Sequence, residues 1–152
     1  MLNTRLVSAI NNGIVIDHIL AGQALKIMRW LPVMSDTLRV TLGLNLESKR
    51  LKLKDLIKIE NRTLTAEEIQ KIAVFSPKAT INSIREFVVC EKIKCDLPST
   101  IRDILLCPNV NCISHCEAKS HFNLAVRHKE VMLFCSYCEK QFKRDQVQEV
   151  SL

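Results

Sequence analysis

Glycine is scarce in this chain, with three in 152 residues, and aromatic side chains make up only 5%. Neither a Gly-x-Gly-x-x-Gly run nor a Walker-type glycine-rich loop is present, which excludes the usual backbone cradles for phosphate. No apolar run approaches the roughly 20 residues that a membrane-spanning helix needs. The opening Met1-Leu-Asn-Thr-Arg-Leu6 lacks the apolar core of a secretory signal. These absences lead us to expect a soluble chain in a reducing, cytoplasmic compartment, without a membrane partner. Repeats and low-complexity tracts are missing too, and the 47% hydrophobic and 25% charged content is ordinary for a folded chain.

Cysteine is plentiful by contrast, with seven. Four of them form Cys107-Pro-Asn-Val-Asn-Cys112 and Cys135-Ser-Tyr-Cys138. Two pairs with short internal spacing, separated by about two dozen residues, make a tetrathiolate pattern. Pro108, Asn109, Asn111 and Ser136 suit the tight turns that would bring the thiolates onto one ion. Four sulfurs complete a tetrahedral Zn²⁺ shell and leave no position for water, so the site is expected to be structural. A zinc hydrolase needs an open position, and the pattern denies it. A redox dithiol at 135–138 would want a βαβ context, which is missing. Cys116, His115, His121 and His128 are rival donors nearby, but the paired cysteines already close the shell.

Charge divides the chain unevenly. Residues 1–98 carry 15 Lys and Arg against 10 Asp and Glu, and residues 99–152 carry seven against six. Most of the net charge of +6 therefore belongs to the first part, where an anionic ligand should be sought. A nearly neutral metal region with few aromatics argues against a nucleic-acid partner.

The first part alternates like an α+β unit. Strands are expected at Arg5–Ile10 and Gly13–Ile19 around the turn Asn11-Asn12-Gly13, followed by a helix from Leu20 to Leu31 that Pro32 stops. Further strands are expected at Thr37–Leu44 and Leu51–Ile59. Thr65-Ala-Glu-Glu68 is a capping-box signature opening a second helix. Thr80–Ile84 and Glu86–Cys90 read as one more strand or a bent pair. The sum is an antiparallel sheet with two helices on one face, a ferredoxin-like arrangement. Leu97-Pro-Ser-Thr100 is the expected boundary, giving domains 1–98 and 99–152. The second is too short for a generous core, so metal binding must supply folding free energy on the order of 10 kcal/mol. Strands are expected there at Phe122–Arg127 and Val131–Phe134.

Lys52, Lys54 and Lys58 fall on one face of their strand, with Leu53, Ile57 and Ile59 on the other, and Lys92 and Lys94 also share a face. Such lysines read either as a solvated edge or as point charges for phosphate. Asp17-His18, closing the apolar run Ile14-Val-Ile16, reads either as a strand-end hydrogen-bonding pair or as part of a site.

Val15-Ile-Asp-His-Ile19, Gly43-Leu-Asn45, Lys54-Asp-Leu-Ile-Lys-Ile-Glu-Asn61, Ala79-Thr-Ile-Asn82 and the two cysteine loops together resemble the regulatory chain of aspartate carbamoyltransferase. The likeness runs through essentially the whole chain, in order. It implies a non-catalytic polypeptide whose N-terminal domain binds nucleoside triphosphates (CTP, ATP, UTP) as allosteric effectors and pairs with a second regulatory chain. Its zinc domain would hold the catalytic chain of pyrimidine biosynthesis. By that resemblance Asp17 and His18 face the nucleotide, with Lys58 and Lys92 as its principal cations. Val7, Ile10, Val15, Lys54, Leu56, Thr80, Asn82, Phe87, Val89 and Lys94 line or flank the pocket. The chain departs from the family's pattern at Thr4, where a basic residue is usual, at Phe87, which lacks a tyrosine hydroxyl, and at Lys94. Cys90, Cys95 and Cys116 have no role by this resemblance.

Overall fold

The computed structural model describes residues 9–32, 37–128 and 130–150. It divides into two units, Met1–Asp96 and Leu97–Leu152.

The first unit runs β1 (Gly13–Leu20), α1 (Ala24–Trp30), β2 (Val40–Ser48), β3 (Lys52–Glu60), α2 (Ala66–Phe75), β4 (Thr80–Arg85) and β5 (Val88–Lys94). The strands form one antiparallel sheet in the order β2-β3-β1-β4-β5. With two strands inserted centrally and two crossovers through helices, this is the ferredoxin-like βαββαβ topology, extended by the β5 hairpin strand. Alternation decides which face is buried: Ile14, Ile16 and Ile19 of β1, Ile57 and Ile59 of β3, and Ile81 of β4 have almost no exposure. Ala24, Ile27 and Met28 of α1 and Ile72, Ala73 and Phe75 of α2 are buried as well, and the helices meet where the Trp30 and Phe75 rings lie 6.5 Å apart. The expected capping box opens α2: the Glu68 N–H donates to Thr65 Oγ1 at 3.2 Å and the Thr65 N–H to Glu68 Oε2 at 3.0 Å.

Several boundaries differ from expectation. The strand expected at Arg5–Ile10 falls largely outside the described residues, and Ala9 and Ile10 are not in a strand. Helix α1 begins four residues later than its apolar spacing suggests. Leu20 instead completes β1, its N–H donating to the buried Ser76 Oγ at 3.0 Å, and a turn at Ala21-Gly22 follows. β2 runs on to Ser48, and the segment after Thr80 resolves into the hairpin pair β4 and β5. That hairpin turns at Glu86-Phe87, both at positive φ, and is tied down by N–H donation from Glu86 to Asn12 Oδ1 and from Phe87 to the Asn11 carbonyl.

The second unit is a four-stranded antiparallel sheet in the order β6 (Thr100–Arg102), β7 (His121–Arg127), β8 (Glu130–Cys135), β9 (Gln141–Lys143). The expected pair became β7 and β8, with short strands added on both edges. Its final segment is strapped to the approach of the metal loop: the Leu106 N–H donates to the Gln148 carbonyl at 2.7 Å and the Val150 N–H to the Ile104 carbonyl at 3.0 Å.

Candidate functional site

The second unit brings the four paired cysteines together. Cys107, Cys112 and Cys135 are buried and Cys138 is partly so, with all four sulfurs within 4.8 Å of one another. Cys107 and Cys138 lie 3.7 Å apart, as do Cys112 and Cys135. Zn–S bonds of about 2.3 Å in a tetrahedron place sulfurs about 3.8 Å apart, so the set fits one structural zinc ion. The rival donors are accounted for. His115 Nε2 is committed to the Cys107 carbonyl at 2.7 Å, and the exposed Cys116 thiol turns back to the Ile113 carbonyl. His121 sits on β7 opposite Arg102, and His128 lies in the turn between β7 and β8.

The cluster is also poised electrostatically. Burial pushes every one of these thiols up. At Cys112 the Ser114 hydroxyl and N–H and the neighbouring thiols outweigh burial, leaving it at about 7. Cys138 is held down in the same way by the Lys140 N–H and the Asn109 side chain, while Cys107 and Cys135 stay high. Ser114, which no metal pattern would single out, thus supports a ligand by donating to its sulfur.

In the first unit, the face turned away from the helices carries the polar candidates. The strand registers set Lys92, Asn82, Val15, Lys58 and Thr41 side by side in one row across β5, β4, β1, β3 and β2. The next row pairs Lys94 with Thr80 and Thr80 with Asp17. A β-bulge between Ile16 and Ile19 interrupts the alternation, with His18 at φ 55°. Because of it, Asp17 and His18 are both partly buried on the open side while Ile19 returns to the core. Asp17 Oδ1 accepts from the Lys54 ammonium at 2.8 Å and from the His18 N–H at 2.7 Å, and His18 Nδ1 shares a 2.9 Å hydrogen bond with Thr80 Oγ1.

Burial pushes the Asp17 carboxyl up, but Lys54 and the His18 N–H more than reverse it and hold the group below its usual value. Burial lowers His18, the surrounding Lys54, Arg50 and Lys92 charges add to that, and Asp17 opposes them. The imidazole is therefore kept toward its neutral form on a cationic face.

Beside this row opens a cleft of about 260 Å³ lined by Ala9, Ile10, Val15, Leu56, Lys58, Asn82, Ile84, Phe87 and Val89. Lys58, the one charged residue of this otherwise largely apolar lining among the described residues, is only 8% exposed. Seven of the expected pocket residues line this cleft. Lys54, Thr80, Asp17 and His18 form a linked group on the same face, and Lys92 and Lys94 stand exposed on β5. Val7, with Thr4, lies outside the described residues. Ala9 and Ile84 were not foreseen. Ile84 is a register partner of Val89, and its even spacing from Thr80 and Asn82 was the available signal.

Two family models match the chain. One, described as the aspartate carbamoyltransferase regulatory chain, allosteric domain, covers residues 5–96. The other, the metal binding domain of the same chain, covers residues 99–148. This chain belongs to the aspartate carbamoyltransferase regulatory chain family. Regulatory chains from Chromobacterium violaceum (48% identical, 99% of both chains), Tolumonas auensis (47%, 94% of both) and Aeromonas salmonicida (46%, 97% of this chain and 96% of the relative) are similar throughout. As a regulatory chain it is not the catalytic subunit. The four-thiol cluster lies inside the part matched by the family's metal binding domain, and the open sheet face inside the part matched by its allosteric domain.

Proposed function

We propose that the first unit binds nucleoside triphosphates (CTP, ATP and UTP) on the open face of its sheet, and that the second grips the catalytic chain of aspartate carbamoyltransferase. Binding would thereby be coupled to the rate of that enzyme's step in pyrimidine biosynthesis. The observation that carries this reading is the juxtaposition of an apolar cleft with the row Lys92–Asn82–Val15–Lys58. A nucleotide has one flat, weakly polar end and one polyanionic end. The walls of Ile10, Val15, Leu56, Ile84, Phe87 and Val89 suit the first. Lys58 and Lys92 supply point charges for the second. Asn82 and the Asp17 carboxylate offer acceptors for base or sugar hydrogens, and Lys54, Thr80 and Lys94 frame them. Val7 joins the pocket only in the family's pattern.

Zinc acts at a distance in this scheme. By ordering the loops 107–112 and 135–138 it shapes the surface that docks on the catalytic chain, while a second regulatory chain pairs with the first unit. Seven unpaired thiols suit the reducing cytoplasm. An effector changes rate only if it binds two states of the assembly unequally.

Reconstitution tests the reading. Catalytic chain alone should turn over substrate without responding to CTP, ATP or UTP, and adding this chain should confer a response. A thiol-reactive mercurial that strips zinc should release active, unresponsive catalytic chain. A complex that persists without metal would refute the docking role, and a reconstituted enzyme indifferent to all three nucleotides would refute the sensing role.

A further inference from the structure

We infer that Asp55 is the positioning residue of the effector face, its buried carboxylate locking from behind the bulge that presents Asp17 and His18. The inference rests on the reading of that face as the nucleotide site. Asp55 is completely buried and lies on the helix side of β3, between Lys54 and Leu56, which point to the open side. Its Oδ2 accepts from the N–H groups of Gly22 at 3.0 Å and Ala24 at 3.2 Å, and its Oδ1 accepts from the Asn45 N–H at 3.0 Å.

Gly22 lies in the turn after β1, Ala24 is the first residue of α1, and Asn45 lies in the irregular part of β2. After the β1 bulge, between Ile16 and Ile19, pairing resumes with Ile19 opposite Asp55 and Leu20 opposite Lys54, and the Ala21-Gly22 turn into α1 follows. The β2 irregularity, between Gly43 and Leu46, contains Asn45 at φ 55°. Helix α1 opens without a side-chain cap from its own Gln23, and Asp55 serves its first N–H from 31 residues away. One carboxylate therefore ties the end of β1, the start of α1 and the edge strand β2 to the strand that carries Lys54 and Lys58. Three N–H donors on two oxygens require a carboxylate. An asparagine there would aim its own N–H₂ at a donor.

The test uses the full chain assembled with catalytic chain, comparing Asp55→Asn and Lys58→Ala with the unaltered protein. Asp55→Asn should weaken CTP roughly tenfold, the equivalent of one charge-assisted hydrogen bond, and shift the His18 ring resonances while zinc content stays unchanged. Undiminished affinity with unmoved His18 resonances would overturn the inference. If Lys58→Ala also left affinity intact, the effector reading itself would be at fault. Should Asp55→Asn fail to fold, hydrogen exchange on the unaltered protein decides. CTP should slow exchange at the Gly22, Ala24 and Asn45 amides together with that of His18. Protection at His18 without any at those three amides would refute the coupling.

Discussion

The two units of this chain reach order by different means. The first buries a continuous wall of isoleucines between sheet and helices, with Ile14, Ile16, Ile19, Ile27, Ile57, Ile59, Ile72 and Ile81 nearly inaccessible. The second buries, among its described residues, no hydrophobic side chains but Ile101, Ile104, Leu105, Phe122, Met132, Leu133 and Val147 besides three of its own metal-binding thiols. A unit of that size cannot exclude enough apolar surface to offset its chain entropy, so zinc does what packing does in its neighbour. The contrast also separates the chemistries. A sheet that carries its own stability can leave one face open for a ligand, whereas a unit ordered by its metal makes its fold conditional on the ion.

Removing metal should break the comparison most completely. Cys138→Ala, or stripping with a mercurial, removes a contribution on the order of 10 kcal/mol, so amide signals of β7 to β9 should collapse while those of β1 to β5 persist. Retained zinc by elemental analysis in that variant would contradict the ligand set. A core truncation is the mirror experiment. Ile57→Ala deletes a fully buried side chain and should cost the first unit about 2–5 kcal/mol in denaturant unfolding, leaving zinc content untouched. Equal loss in both units would mean that they do not fold separately. A smaller effect is expected at the helix cap: Thr65→Ala breaks the capping box and should cost about 1 kcal/mol, read by the same unfolding curves.

The gentlest prediction concerns pH. His18 is held below its ordinary 6.5, so between that value and its depressed folded value the unfolded chain binds more protons. Stability of the first unit should therefore fall as pH drops just below 6.5, with no counterpart from this group above it. Asp17, also depressed, holds its contribution above its ordinary value of 3.8 and loses it only as pH falls through the folded one. A His18 ring that titrates at or above 6.5 by NMR would contradict the description of the face.

What the sequence revealed, and what it hid, follows the range of the interactions. The thiol cluster was legible because each cysteine pair is local and its spacing already specifies a turn. The Thr65–Glu68 box and the alternation of β3 were legible for the same reason. The start of α1 was not, because apolar spacing continues through Leu20 while the strand's hold on that residue comes from Ser76, 56 residues away. Nor could alternation show that Asp17 and His18 share a face, since successive residues of a regular strand never do and only the bulge allows it. Asp55 was hidden most thoroughly. Alternation puts it on the face of Leu53, Ile57 and Ile59, but its three amide donors come from the turn after β1, the start of α1 and β2, which no local pattern shows.

The most direct test of the account is whether sensing and metal binding can be separated by one side chain. Calorimetric titration of CTP and ATP into the unaltered and Lys58→Ala chains, with zinc assayed in the same samples, makes that measurement. Loss of a charge-assisted contact worth roughly 1.5–3 kcal/mol predicts affinity lower by about ten- to a hundredfold or more, with zinc content and binding to the catalytic chain unchanged. Equal affinity in both chains would make the lysine row a solvated edge and contradict the account.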